Sequence, residues 1–127
     1  MSWQAYVDDS MLKSGKIAKG AILGVQGGIW AISAGYNLSK AEQDFLVKTA
    51  FTQPGEAQAH GITLAGTKFM CLQADGEQLL GRKQDRGVIV CKTKQAILVG
   101  EYGPPTPAGD ANVVMTKLAD YLRSVGY

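Results

Sequence analysis

From Gly61 onward the chain alternates short apolar runs with turn residues, and the gaps are too short for the long crossovers that parallel strands need. Candidate strands fall at 62–64, 68–74, 78–82, 88–92 and 96–101, with Gly66, Asp75-Gly76 and Gly87 between them. Asp75-Gly76 is a strong hairpin signal. Successive strands so closely spaced pair antiparallel with their neighbours.

Upstream, Ser2 caps a first helix on which Trp3, Tyr6 and Val7 are neighbours, and Gly15 marks its exit. Runs at 17–25 and 29–33, joined through Gln26-Gly27-Gly28, read as a further hairpin. Ser39-Lys40-Ala41-Glu42 is a capping box that opens a helix to about residue 51, with Phe45, Leu46 and Thr49 on its buried side. Pro54-Gly55 is expected to end that helix, leaving only a helical turn at 56–60. The proline-rich stretch 103–109 is a stiff loop, and Asp110 begins a last helix with Val114, Leu118, Tyr121, Leu122 and Val125 on one face. The fold class is α+β: a central antiparallel sheet with helices at both ends of the sequence. At 127 residues, positions 1–127 suit one domain with one core.

Several function classes are disfavoured. A net charge of +2 is too small to imply nucleic-acid binding. The first 13 residues lack the apolar run of a secretory signal, and no segment approaches a membrane span of roughly 18 apolar residues. Cys71 and Cys91 then read as reduced thiols of a cytosolic protein. His60 is the only histidine, metal-ligand clusters are absent, and residues 24–28 match neither nucleotide-binding glycine spacing. A binding protein without a cofactor is expected, not an enzyme.

Two groups of residues are candidates for that binding. Trp3, Tyr6, Trp30, Tyr121 and Tyr127 gather aromatic area at both ends of the sequence and on an early strand. Any one of these rings alone reads as core, but Trp and Tyr also favour half-exposed positions. Brought together, flat rings stack on proline, while indole and phenol groups donate to the carbonyls of a polyproline II helix. The second group is Lys68, Arg82, Lys83, Arg86, Lys92 and Lys94. These read either as charges protecting a sheet edge or as a patch for an acidic protein or anionic lipid.

The residues Ser2-Trp3-Gln4-Ala5-Tyr6-Val7-Asp8, Ile29-Trp30-Ala31, Gly66-Thr67-Lys68-Phe69-Met70 and Leu118-Ala119-Asp120-Tyr121-Leu122, with Tyr127, make the chain resemble a profilin of the fungal kind over its whole length. The resemblance implies six or seven antiparallel strands, the two terminal helices on one face and shorter helices on the other. It implies a monomeric protein in the cytoplasm, associated with the cytoskeleton, that binds monomeric actin 1:1 and suppresses nucleation while allowing barbed-end addition. It also implies a site for proline-rich segments such as those of formins, built from Trp3, Tyr6, Trp30, Tyr121 and Tyr127 with Leu122 at its border. The actin face it implies comprises Lys68, Met70, Leu72, Arg82, Lys83 and Arg86, joined by Thr106, Gly109, Asn112, Thr116 and Lys117. Arg82, Lys83 and Arg86 would also meet phosphoinositide headgroups. The rival from another class is a small-molecule sensor domain, which requires an enclosed apolar pocket in place of exposed rings.

Overall fold

A computed structural model describes residues 2–127. Its backbone hydrogen bonds join β1 (Lys19–Gly24), β2 (Ile29–Ile32), β3 (Ile62–Leu64), β4 (Thr67–Ala74), β5 (Gln78–Lys83), β6 (Arg86–Lys92) and β7 (Ala96–Tyr102). They form one seven-stranded sheet in the order β2-β1-β7-β6-β5-β4-β3. Every pairing is antiparallel, as the short connections require. The one join between elements distant in sequence is β1 with β7, which runs in unbroken register from Lys19↔Glu101 to Gly24↔Ala96. The Asp75 carboxylate accepts from the backbone N–H groups of Glu77 and Gln78, both at 2.8 Å, and closes the β4–β5 turn. Those two hydrogen bonds hold its carboxyl below the ordinary aspartate value.

Alternating residues along the strands feed two cores. Leu23, Leu79, Val90 and Val99 point to one face and pack with Leu46, Ala50, Phe51 and Ala57 from the internal helices. Ile22, Ile89 and Leu98 point to the other and pack with Val7, Met11, Met115, Leu118 and Leu122 from the terminal helices. The period of two in a strand therefore becomes a division of labour between faces.

The terminal helices approach the sheet closely because of two glycines. Gly20 and Gly100 lie directly opposite each other on β1 and β7. A Cβ at Gly20 would meet the Met11 sulfur at 2.7 Å, and one at Gly100 would meet the Met115 sulfur at 2.6 Å. The glycine pair thus forms a seat into which one methionine from each terminal helix descends.

The helices themselves depart from expectation in four places. The first begins as α1 (Trp3–Ala5), with Ser2 Oγ accepting from Ala5 N at 3.1 Å, widens to a π segment over Tyr6–Met11, and tightens to a 3₁₀ turn over Leu12–Ser14 before Gly15 at φ 75°. The capping box of Ser39 and Glu42 opens α2 (Lys40–Asp44), but the helix continues as a second π segment over Phe45–Ala50. Leu46 and Ala50 are the buried pair there, whereas Phe45 and Thr49 are only half-buried. Pro54 does not merely end that helix: it opens α3 (Pro54–His60), because proline suits a first helical turn whose N–H groups have no partner anyway. α4 (Ala108–Ser124) starts two residues before the expected Asp110, directly after Pro107, its extended N-cap residue, whose carbonyl accepts from Asp110 N and Ala111 N.

Candidate functional site

Five aromatic rings converge on the outer side of the terminal-helix face. Trp3 lies 4.7 Å from Trp30, 5.5 Å from Tyr6 and 5.1 Å from Tyr127, centroid to centroid, and Tyr6 lies 6.3 Å from Tyr121. Tilted and edge-on geometries dominate, as the ring quadrupoles prefer. The strip faces solvent: Trp30, Tyr121 and Tyr127 are 37%, 51% and 41% exposed. It exposes rings where an enclosed metabolite pocket would hide them. Burial first, then the neighbouring Tyr121, pushes the Tyr6 hydroxyl above the ordinary phenol value.

Two of the rings, Trp30 and Tyr127, have an identifiable support. Strict alternation would put Trp30 on the face opposite Ala31, which belongs to the terminal-helix core. A β-bulge between Ile22 and Leu23 breaks that alternation, and Trp30 lies over Gly24, where a Cβ would meet the indole nitrogen at 2.8 Å. Tyr127 is tied down from the β6–β7 turn: its carbonyl accepts from Thr93 Oγ1 at 2.6 Å and from Gln95 N at 2.5 Å. Gln95 Nε2 also donates to the Gly126 carbonyl at 2.9 Å. Leu122 does not border the strip. It is fully buried beneath it in the terminal-helix core, because it sits one residue, or about 100° of helix, beyond the exposed Tyr121. Thr93 and Gln95 were not among the sequence candidates, since nothing in a short turn announces a contact more than thirty residues away.

The other candidate face lies across α4. Register places Met70 opposite Arg82, Arg82 opposite Gly87, and Gly87 opposite Tyr102, so these four share one row across the sheet. Met70 is 69% exposed, Leu72 falls in the bulge between Cys71 and Gln73, and Lys68 follows the same alternation as Met70. The row is linked to α4 where Gln78 Nε2 donates to Asn112 Oδ1 at 2.7 Å, and Thr116 Oγ1 donates to the same oxygen at 3.3 Å. Thr106 and Gly109 lie at the loop and first turn leading into this helix. Tyr102 is an additional member that the sequence reading missed; it was legible, since it continues the alternation of Leu98 and Gly100.

Two expected groupings come apart. Lys117 does not stand with Asn112 and Thr116. It lines a cleft of about 420 Å³ between the terminal helices with Tyr6, Ser10, Val114, Leu118 and Tyr121. Nor do Arg82, Lys83 and Arg86 form one patch. Lys83 pairs with Arg86, one residue out of phase with the Arg82 row, so the two follow the opposite face. Arg86 is committed there to Glu101, whose carboxylate is almost wholly buried and takes its Nη2 at 3.1 Å. Lys83 and Arg82 instead meet around the hairpin end, with Lys68 and His60, in a separate cleft of about 440 Å³.

Other chemistry is sparse. Cys71 and Cys91 are free thiols, and burial pushes Cys91 up to about 11. Among the described residues no cluster of three or more His, Cys, Asp or Glu side chains could hold a metal ion. Among them, too, no helix is long and apolar enough to cross a membrane.

Comparison with known proteins agrees with this geometry. Fission yeast profilin is 44% identical over 128 aligned residues, covering all of both chains. The structure of profilin IB from Acanthamoeba castellanii superposes with a TM-score of 0.95 at 41% identity, over 99% of this chain and 100% of that one. Mouse profilin IIa, solved in complex with a double repeat from the FH1 domain of mDia1, shares the fold at 23% identity with a TM-score of 0.80 and full coverage of both chains. The family model for profilin matches residues 1–127. With the sheet order, the placement of its helices and its sequence all in agreement, the chain belongs to the profilin family.

Proposed function

We propose that this protein presents a proline-rich segment and an actin monomer on opposite sides of α4, and so delivers monomers to growing filament ends. The broader role comes with the family: profilins are actin-binding regulators of polymerisation, not enzymes. The observation that carries the finer reading is the exposed aromatic strip of Trp3, Tyr6, Trp30, Tyr121 and Tyr127. Its ring-to-ring steps of 4.7–6.3 Å suit a polyproline II helix rising about 3.1 Å per residue, so successive rings meet every second residue or so. The mouse relative's FH1 complex supports a formin-type segment as the ligand. Such a strip binds each tract weakly, and repeated tracts on one partner raise the local concentration of loaded protein.

For actin, the row of Met70, Arg82 and Tyr102 offers apolar area rimmed by charge, extended by Lys68, Leu72, Asn112, Thr116 and the loop at Thr106 and Gly109. Lys83 and Arg86 lie at the margin, where positive charge steers encounter with an acidic partner more than it holds the complex. Occupation of that face suppresses nucleation by the bound monomer while barbed-end addition continues. Phosphoinositide headgroups would compete at the cleft of Lys68, Arg82 and Lys83, with Arg86 withheld by Glu101. The setting for all three ligands is the cytoplasm.

Titration of intrinsic tryptophan fluorescence with polyproline tests the strip directly, because Trp3 and Trp30 are part of it. Saturable binding is expected, weakened at least about tenfold in Tyr6→Asp, whose carboxylate would have to shed water against the ligand. Equal binding by a folded Tyr6→Asp protein would overturn the reading.

A further inference from the structure

On β5, Gln78, Leu80 and Arg82 alternate toward the side that α4 covers. Gln78 stands directly opposite Cys91 on β6. Its Nε2 carries two protons, and each has a place: one goes to Asn112 Oδ1 at 2.7 Å, and the other faces the sulfur of the buried Cys91 at 3.8 Å. The Gln78 amide cannot turn over without setting its own oxygen against that of Asn112. Asn112 is fixed in turn. Thr116, one helical turn further along α4, donates from Oγ1 to the same Oδ1 at 3.3 Å, so two donors fill the two lone pairs of that oxygen. All three side chains are half-buried, where water competes less for these bonds. The Nδ2 group of Asn112 has no acceptor among the described residues. Because the amide is planar, an oxygen turned to β5 leaves that nitrogen directed away from it.

Resting on the reading of this flank as the actin face, we propose that Gln78 is a positioning residue for actin binding: it sets the polarity of the Asn112 amide, so that Asn112 offers the partner a donor and not an acceptor. The matching group on actin is an acceptor oxygen, a backbone carbonyl or a carboxylate. The two ends of an asparagine amide are alike in size, so an unheld one presents either. Held by Gln78 and Thr116, it presents one end only, and its freedom is already lost before the partner arrives. Gln78 achieves this from the sheet, through Asn112, without itself touching the partner.

The test measures affinity for monomeric actin, affinity for polyproline and Tm in the full-length protein. The variants are Gln78→Glu, Gln78→Met, Asn112→Ala and the two doubles that combine each change at position 78 with Asn112→Ala. A carboxylate at position 78 can only accept, so in Gln78→Glu the Asn112 amide turns over and offers its oxygen to the partner. Actin binding is then expected to weaken about tenfold, against about threefold in Gln78→Met, which merely releases the amide. Polyproline affinity is expected to stay unchanged, whereas a general loosening of the terminal-helix core would lower it together with Tm. In the Asn112→Ala background both changes at position 78 are expected to lose most of their effect. What Gln78→Glu still costs there measures the added charge alone. Losses of equal size with and without Asn112, or actin binding by both single variants at position 78 equal to that of the parent, would overturn the proposal and leave the actin face in place. Failure of the parent protein to bind actin would remove the reading of that face and this inference with it.

Discussion

The carbonyl of Tyr127 rests on Thr93 Oγ1 and Gln95 N, and the Tyr127 ring meets Trp3 edge-on at 5.1 Å. A buried residue in the β6–β7 turn thus fixes one ring of the strip from beneath. Thr93 Oγ1 also accepts from Ala96 N at 3.1 Å inside the same turn, and Thr93 is buried. Thr93→Val is therefore expected to lower stability by about 1–3 kcal/mol in denaturant titrations, the cost of leaving buried polar groups unpaired. It is also expected to weaken polyproline binding while actin binding stays unchanged, with Thr93→Ser restoring both losses. Unaltered polyproline affinity in Thr93→Val would show that Tyr127 keeps its place without the clamp. Leu122 and Tyr121 illustrate the same scale from the other side: adjacent residues on one helix, one wholly buried and one half in solvent.

At the level of elements, the seat made by Gly20 and Gly100 sets how low the two terminal helices ride. Met11 and Met115 occupy the space two side chains would otherwise fill, and the strip spans those helices. Gly100→Val is expected to lift α4, cost about 1–3 kcal/mol through overpacking, and separate Tyr121 from Tyr6. The measurable sign is a lower Tm together with a loss of polyproline affinity larger than the loss of actin affinity. Equal losses of both would mean the helix tilts as a whole or the core loosens generally. The β1–β2 bulge acts at the same scale, turning Trp30 toward Trp3 when simple alternation would send it away.

For the whole molecule, α4 is the partition. Tyr121 and Lys117, four residues apart, share one flank with the N-terminal helix, while Asn112 and Thr116, also four apart, share the other with β5. Two ligands on opposite flanks of one rigid helix do not compete for space. The affinity for actin measured with saturating polyproline is thus expected to stay within about twofold of its value alone, and sedimentation should detect a ternary complex. Mutual exclusion of the two ligands would sink the carrier reading.

Much of this was written locally in the sequence. Seven strands, the Asp75-Gly76 turn, the Ser39–Glu42 capping box and the antiparallel pairing follow from the alternation of side chains and the shortness of the gaps, which are properties of neighbouring residues. The five rings were also nameable, because tryptophan and tyrosine at such positions suit half-exposed sites. The roles of Pro54 and Pro107 as helix openers were missed, since the same residue stops one helix and suits the start of the next. What the local pattern could not contain was decided by tertiary structure: the β1–β7 pairing that closes the sheet order, and the bulge that aims Trp30. To these belong the burial of Leu122, the separation of Arg82 from Arg86, and the passage of Lys117 to the aromatic flank. The physical reason is the same in each case. Residue type and spacing determine which side of its own element a residue takes, but which element lies opposite that side depends on contacts made across the whole chain.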